Sequence, residues 1–441
     1  MKMNEKPSVL IIGGGIAGIQ ASLDLAGRGF QVYVLEETPT IGGRMAQLDK
    51  TFPTMDCSIC ILAPKMMECF RHPNIKLLTY SELKEVKGSV GNFRVKILRK
   101  PRYVDETKCT GCGTCAEHCP VEVPNDFDMG LGMRKGIYMP MPQAVPRIMT
   151  VDKENCIECK LCVKTCRAGA VDFQQQPREV DLNVGAIIVA TGFNQYDPSD
   201  ITEYGYKRNK NVLTALEFER WICASGPVGG HLLRPADGGI PKRVAFIQCV
   251  GSRGTKRGAP FCSSVCCMYA TKEALIIREH APDVEVYIFY TELRAFGKGF
   301  QEFVNRAREE YGVKYVRSRP GEITENPDTK SLSIWYDDTL TREIKSLNDV
   351  DLVVLCPALL PRDSNIKLAS AMGIELDECG FFKVVHPLLA PVDTTVPGIY
   401  VCGYCQSPKD IPDSVAQASA AAARAAEALT LVQVQRQSGG M

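Results

Sequence analysis

The apolar residues of this chain come mostly in short unbroken runs, each closed by glycine, and the polar residues follow at helical spacing. Ser8-Val-Leu-Ile-Ile leads into Gly13-Gly-Gly-Ile-Ala-Gly18, then into IQASLDLAG, and then into a second apolar run, QVYVLEE. That order predicts strand, tight turn, helix, strand, with strands buried on both faces as in a parallel sheet. The run RVAFIQ from Arg243 repeats the opening, and the helical stretch KEALIIREH follows it. GAIIVATG (185–192) and DVDLVVLCPALLP (349–361) predict further buried strands, and PGIYVCGYCQSPKDIPDSVAQASAAAARAAEAL predicts a strand, a glycine turn and an alanine-rich helix. Alternation of strands and helices marks an α/β fold.

The 441 residues suffice for two or three domains, and a 45% hydrophobic content is that of an ordinary globular chain. Lys plus Arg (52) balances Asp plus Glu (51), so no global field draws the protein to nucleic acid or an anionic membrane. The longest apolar runs fall well short of the ~20 residues of a membrane span. No small-residue cleavage site follows the N-terminal Lys2, and the expected location is the cytoplasm. Twenty cysteines exceed any packing need, and many stand at metal-ligand spacing.

Gly13, Gly15 and Gly18 form G-x-G-x-x-G at a strand-to-helix turn, where unpaired N–H groups and the helix dipole favour a pyrophosphate. Glu36 ends the second strand, placed to accept ribose hydroxyls. Gly43 and Arg44, Thr191 and Gly192, and Gly403 resemble the flavin-domain signatures of two-dinucleotide-domain flavoproteins similar to thioredoxin reductase. FAD is therefore the expected nucleotide. That group has Asp after the glycine of the late turn; here Tyr404 follows Gly403, and Asp410 is the candidate substitute.

Cys109, Cys112, Cys115 and Cys119 follow C-x2-C-x2-C-x3-C-P, and Cys156, Cys159, Cys162 and Cys166 repeat the spacing with Arg167 in place of proline. This is the bacterial two-cluster ferredoxin pattern, in which the fourth cysteine of each set ligates the other [4Fe-4S] cluster. Two zinc ribbons would need only pairs of C-x2-C. The Pro/Met/Gly-rich stretch between the arrays reads as a linker or a partner-docking loop. The turn after Arg243–Gln248 lacks phosphate-loop glycines and instead carries Cys249, Cys262, Cys266 and Cys267, close enough in sequence to close around one more cluster. Buried structural thiols are the alternative.

TFPTMDCSICILAPKM, HPNIKLLTYSEL, CVGSRG, FCSSVCCMYATKEA and SPKDIPDSVAQASAAAARAA, with the ferredoxin arrays, resemble the flavin-containing A subunit of heterodisulfide reductase, from Ser8 to about Leu429. Longer members add an N-terminal domain and a C-terminal ferredoxin. Flavin subunits of quinone-interacting oxidoreductases and of benzoyl-CoA reductase complexes share the core. The resemblance implies an oxidoreductase component with FAD, two ferredoxin clusters and a third cluster on Cys249, Cys262, Cys266 and Cys267. It implies that Lys272 meets flavin N5; a solvated lysine is the alternative. It further implies electron bifurcation or confurcation. The partners would be other heterodisulfide reductase-type subunits and ferredoxin-like, hydrogenase or dehydrogenase donors, in a hetero-oligomer that could itself dimerise. A self-sufficient NAD(P)H oxidoreductase and a non-catalytic electron conduit stand as alternatives. Cys57-x-x-Cys60 is a redox dithiol, a ligand pair or structural, and Cys402 and Cys405 are treated alike; Cys223, Cys356 and Cys379 read as small core residues.

The expected architecture is thioredoxin-reductase-like and Rossmann-type. An FAD domain spans 1–103, 176–239 and 346–430, a ferredoxin insertion 104–175, a second Rossmann-like domain 240–345, and a flexible tail 431–441.

Overall fold

A computed structural model of the chain describes residues 7–254 and 256–438. They form two compact units, one of residues up to 46, 60–193 and from 361 on, the other of 47–59 and 194–360.

The first unit is built on a seven-stranded sheet in the order Val384–His386, Ala390–Thr394, Ile399–Val401, Ala186–Val189, Ser8–Ile12, Gln31–Leu35, Ile75–Leu78. The last five strands run parallel, and the hairpin 384–394 closes one edge antiparallel. Leu10, Ile187, Val189 and Val401 are all but fully buried, as strands covered on both faces require. The helix Ile16–Gly27 packs against the C-terminal helix Ile411–Ser438, whose Ala418, Ala421, Ala422 and Ala425 are buried. Small side chains allow that close approach. The helix continues to Ser438 where a flexible tail from 431 was expected; residues 439–441 lie outside the described residues.

The ferredoxin insertion leaves the strand Asn92–Arg99 and returns on Arg178–Val184, and these strands pair antiparallel with Arg99 opposite Arg178. The linker between its cysteine arrays is not a free loop. It forms the pairs Glu122–Pro124 with Met133–Lys135 and Ile137–Tyr138 with Thr150–Val151. It then docks on the glycine-turn region: the Val145 amide donates to Thr40 Oγ1 at 2.8 Å, and the Ile41 amide to the Val145 carbonyl at 3.0 Å. Buried Arg102 ties the base of the insertion down, donating to the Pro39 carbonyl (2.7 Å), Thr79 Oγ1 (2.6 Å) and Thr150 Oγ1 (2.8 Å).

The second unit holds a five-stranded parallel sheet in the order Val212–Thr214, Leu352–Pro357, Arg243–Val250, Glu285–Tyr290, Lys314–Arg317, followed by an antiparallel sheet of Pro320–Glu325, Leu332–Asp338 and Glu343–Val350. It is wider than the 240–345 expected from sequence. Val212–Thr214 pairs with Leu352–Pro357, which draws 194–239 into this unit; a three-residue strand has too little periodicity to reveal that. Thr214 then caps the helix Ala215–Ile222 in a reciprocal capping box with Glu217.

Candidate functional site

The glycine turn of the first unit has the shape a pyrophosphate needs. Gly13 sits at φ +110°, and a Cβ there would lie 2.3 Å from the Ala190 carbonyl oxygen; one on Gly18 would lie 1.9 Å from the Gly13 oxygen. Both glycines are demanded by the fold itself. At Gly15 a Cβ would meet, among the described residues beyond its chain neighbours, just the Gly43 Cα at 4.0 Å, so that direction is open for a ligand. Glu36 is buried at the end of its strand, with Oε2 accepting from the Gly14 amide (2.8 Å) and Oε1 from the Thr38 amide (2.9 Å). Burial raises its pKa, and those two amides oppose the rise. Its carboxylate is thereby fixed beside the turn, with lone pairs left for ribose hydroxyls.

The other expected flavin residues gather in the same unit. Burial lowers the pKa of Arg44, the Arg362 cation adding to that and Glu37 opposing it. Arg362 in turn pairs with Glu37 across 325 residues of sequence, a contact no motif signals. Thr191 Oγ1 donates to Asn365 Oδ1 (3.1 Å), and Gly192 has φ +74°. Gly403, at φ +77°, donates its amide to Gln417 Oε1 (2.9 Å), and a Cβ there would stand 3.0 Å from that of Ala17. Asp410 caps the long C-terminal helix, Oδ1 accepting from the Asp413 amide at 2.9 Å. That capping bond engages Oδ1 where a ribityl contact was expected.

Lys409 was missed by sequence reasoning. Its amine is tucked under the late turn, donating to the Gly403 carbonyl (3.1 Å), Gln406 Oε1 (3.1 Å), the Ser407 carbonyl (2.9 Å) and Ser407 Oγ (2.9 Å), and burial brings its pKa down to about 8. A lysine inside an irregular Ser-Pro-Lys-Asp turn gives no periodic cue.

The two ferredoxin arrays interleave. Cys115 is pushed up to about 12, first by burial and then by the charges of Cys109, Cys166 and Cys112. Cys162 is raised by burial and then by Cys156, Cys119 and Cys159. Each group thus has three cysteines from one array and the fourth from the other. A pocket lined by Cys119, Cys156, Cys159 and Cys162 marks the second group. Backbone amides point at the sulfurs, as from Glu158 to Cys156 Sγ (3.4 Å) and Ala170 to Cys166 Sγ (3.3 Å), the contacts that tune a cluster. Among the described residues no three such side chains converge on a point fit for a single metal ion. A cubane, which holds its ligands at four corners, does not need them to.

In the second unit Cys249 is the penultimate residue of its strand, at φ +60°, and Cys266 and Cys267 open the helix Cys266–His280. Burial raises Cys266 first, then the charges of Cys267, Cys249 and Cys262. Cys267 is pushed up to about 11 by burial, with the Arg294 amide opposing at 3.4 Å. The Ser264 amide points at Cys262 Sγ (3.4 Å). All four thiols of the third quartet are therefore within electrostatic reach of one another, with backbone donors on two of them.

Lys272 is not a solvated lysine. It is 1% exposed, ion-paired with the equally buried Glu219, and donates to the Lys50 carbonyl at 3.1 Å. Burial holds the amine down to about 8, opposed by the charges of Glu273 and Asp49. Its neighbour Glu273 is wholly buried with neither carboxylate oxygen hydrogen-bonded among the described residues, and burial raises it to about 8. Cys223, Cys356, Cys402 and Cys405 are buried, and Cys379 is half-exposed rather than in the core, because it lies in the turn after Asp377.

Family models match three parts of the chain: a 4Fe-4S dicluster domain at 108–171, a pyridine nucleotide-disulphide oxidoreductase at 258–425 and an NAD(P)-binding Rossmann-like domain at 11–70. The A subunit of the H(2):CoB-CoM heterodisulfide,ferredoxin reductase of Methanothermobacter thermautotrophicus is 55% identical over 425 residues, covering 96% of this chain and 64% of that protein. The chain is a relative of the heterodisulfide reductase A subunits. The iron-sulfur A subunit of the CoB–CoM heterodisulfide reductase of Methanocaldococcus jannaschii is 56% identical over 415 residues, 94% of this chain and 63% of that protein. The chain thus spans a little under two thirds of the length of these heterodisulfide reductase relatives. The fold is that of T. acidophilum thioredoxin reductase, with TM-score 0.52 and 15% identity over 97% of this chain and 98% of that one. FAD and two [4Fe-4S] clusters are the cofactors that the matched domains carry, and the glycine cradle and interleaved cysteines fit them.

Proposed function

We propose that the chain is the flavin and iron–sulfur core of a heterodisulfide reductase-type complex. It would exchange electrons between a ferredoxin-like carrier and a disulfide such as the CoB–CoM heterodisulfide for which its relatives are named. In this reading other subunits of the complex complete the reaction, and the assembly splits or merges electrons between carriers of different potential. Flavin exchanges electrons in pairs or singly and a cluster singly, so together they join two-electron to one-electron chemistry.

The observation that carries this reading is the third cysteine quartet. Cys249, Cys262, Cys266 and Cys267 occupy the strand-to-helix turn where the second unit of such a fold would cradle a nicotinamide nucleotide, and we assign them a third [4Fe-4S] cluster. Thiolates there replace the free amides a phosphate would use. Gly13, Gly15, Gly18 and Glu36 hold the FAD pyrophosphate and ribose, with Gly43, Arg44, Thr191, Gly192, Gly403 and Asp410 around it. Lys272, ion-paired with Glu219, is assigned to flavin N5. Among the described residues no helix is long and apolar enough to cross a membrane.

Anaerobic stopped-flow absorbance tests the assignment. Reduced ferredoxin should reduce the clusters and then the flavin, and NADH should leave both oxidised. Rapid, stoichiometric flavin bleaching at micromolar NADH overturns the proposal in favour of a self-sufficient NAD(P)H oxidoreductase.

A further inference from the structure

The two cysteine arrays of the insertion have the same spacing, so their non-ligand positions can be compared one by one. Where the first has Thr110, Thr114 and Ala116, the second has Ile157, Leu161 and Val163; where the first has Gly113 and Glu117, the second has Lys160 and Lys164. Both arrays form their ligand groups, so none of these differences is needed to hold a cluster. Ile157 is nevertheless 67% exposed, Leu161 40% and Val163 40%, while residues 106–120 expose no large hydrophobic side chain.

Charge divides the arrays the same way. Residues 153–167 carry Lys153, Lys160, Lys164 and Arg167 against Glu154 and Glu158, and 106–120 carry Lys108 against Glu106 and Glu117. Lys153 is taken up by Glu158, which leaves exposed Lys160, Lys164 and Arg167 outside any ion pair among the described residues. Cys112 and Cys159 are both exposed, so ligand accessibility does not distinguish the two ends. An apolar centre with a cationic rim does, and that is the anatomy of a docking patch steered by charge.

We infer that the face of the second array, centred on Ile157, Leu161 and Val163, is where an acidic one-electron carrier of the ferredoxin class docks. The inference rests on the electron-transfer reading above. The pocket lined by Cys119, Cys156, Cys159 and Cys162 is also lined by Ile157 and Leu161, so this face lies directly over the second cluster's ligands. One electron crosses: the carrier's cluster loses it and the chain's cluster gains it, with no proton or leaving group.

The test is titration calorimetry of the anaerobic holoprotein with an oxidised, acidic bacterial ferredoxin. Lys160→Glu with Lys164→Glu should weaken Kd at least tenfold at low ionic strength, and raising the salt should shrink the difference. Ile157→Thr with Leu161→Thr, the residues the first array bears at these positions, should weaken Kd severalfold at any salt. Glu117→Lys, the matched change on the first array, should leave Kd within twofold. Second-array variants that bind like the wild type, or an equal effect from Glu117→Lys, overturn the inference. Iron content and reduction by methyl viologen separate the two levels: if the wild type lacks the ferredoxin clusters, the electron-transfer reading fails; if it has them and binding ignores the second array, only the docking face fails.

Discussion

After the strand Ser8–Ile12 the chain turns on glycines, and after the strand Arg243–Val250 it turns on cysteines. Both strands are central in parallel sheets and both feed a helix, so the backbone offers the same concavity twice. What differs is the lining. At Gly15 no side chain projects, and the space beside the backbone is open. Cys249 stands in the left-handed region at φ +60°, where glycine would be the unstrained choice, yet a side chain is kept. Strain retained at such a place points to a task for the side chain. The same topology thus presents the same concavity twice, open beside a glycine in one unit and lined by four thiols in the other.

The contrast can be broken from the glycine side first. Gly15→Val should abolish flavin binding, since its side chain would fill the open direction; yellow protein at full flavin occupancy would move the nucleotide elsewhere. Cys262→Ala should remove one cluster, about four of roughly twelve irons, and leave both ferredoxin signals in low-temperature EPR. Should all signals survive, the cysteine turn is only structural.

Smaller effects sharpen the second unit. Lys272→Met strands Glu219 as a buried lone charge and should cost about 3–5 kcal/mol in denaturant unfolding, a loss that Glu219→Gln in the same chain largely restores. Glu273→Gln should alter the pH dependence. Burial raises this carboxyl from the ordinary value near 4.5 to about 8, so the unfolded chain releases its proton first. Native stability therefore falls as pH rises between those values and levels off above about 8, by on the order of a few kcal/mol in all. The Gln variant should lack that slope, and thermal midpoints at pH 5, 6.5 and 8 measure it. Thr214→Ala, which opens the capping box of Ala215–Ile222, should cost about 1 kcal/mol.

Residues that act through a fixed local spacing were legible before any coordinates. The G-x-G-x-x-G turn, the eight ferredoxin cysteines and the long buried strands each carry their geometry in a few consecutive positions. The pairings that complete the sites were not. Arg362 meets Glu37, Lys272 meets Glu219, and Val145 meets Thr40 over separations that leave no periodic trace. The wider second unit escaped notice for the same reason, because Val212–Thr214 is three residues long and is a strand only by virtue of its neighbour. Asp410 carries a second role that no motif signals: besides lying near the cofactor turn, it caps the helix that starts after it through Oδ1.

Arg99 and Arg178 face each other across the stem of the insertion, on strands already paired in one small sheet. A module spliced between two such positions brings its own ends together, so the host barely registers how long it is: loop length enters the closure entropy only logarithmically. In evolutionary terms this stem is a socket. A module of two clusters fits into it without rewriting the sheet that receives it.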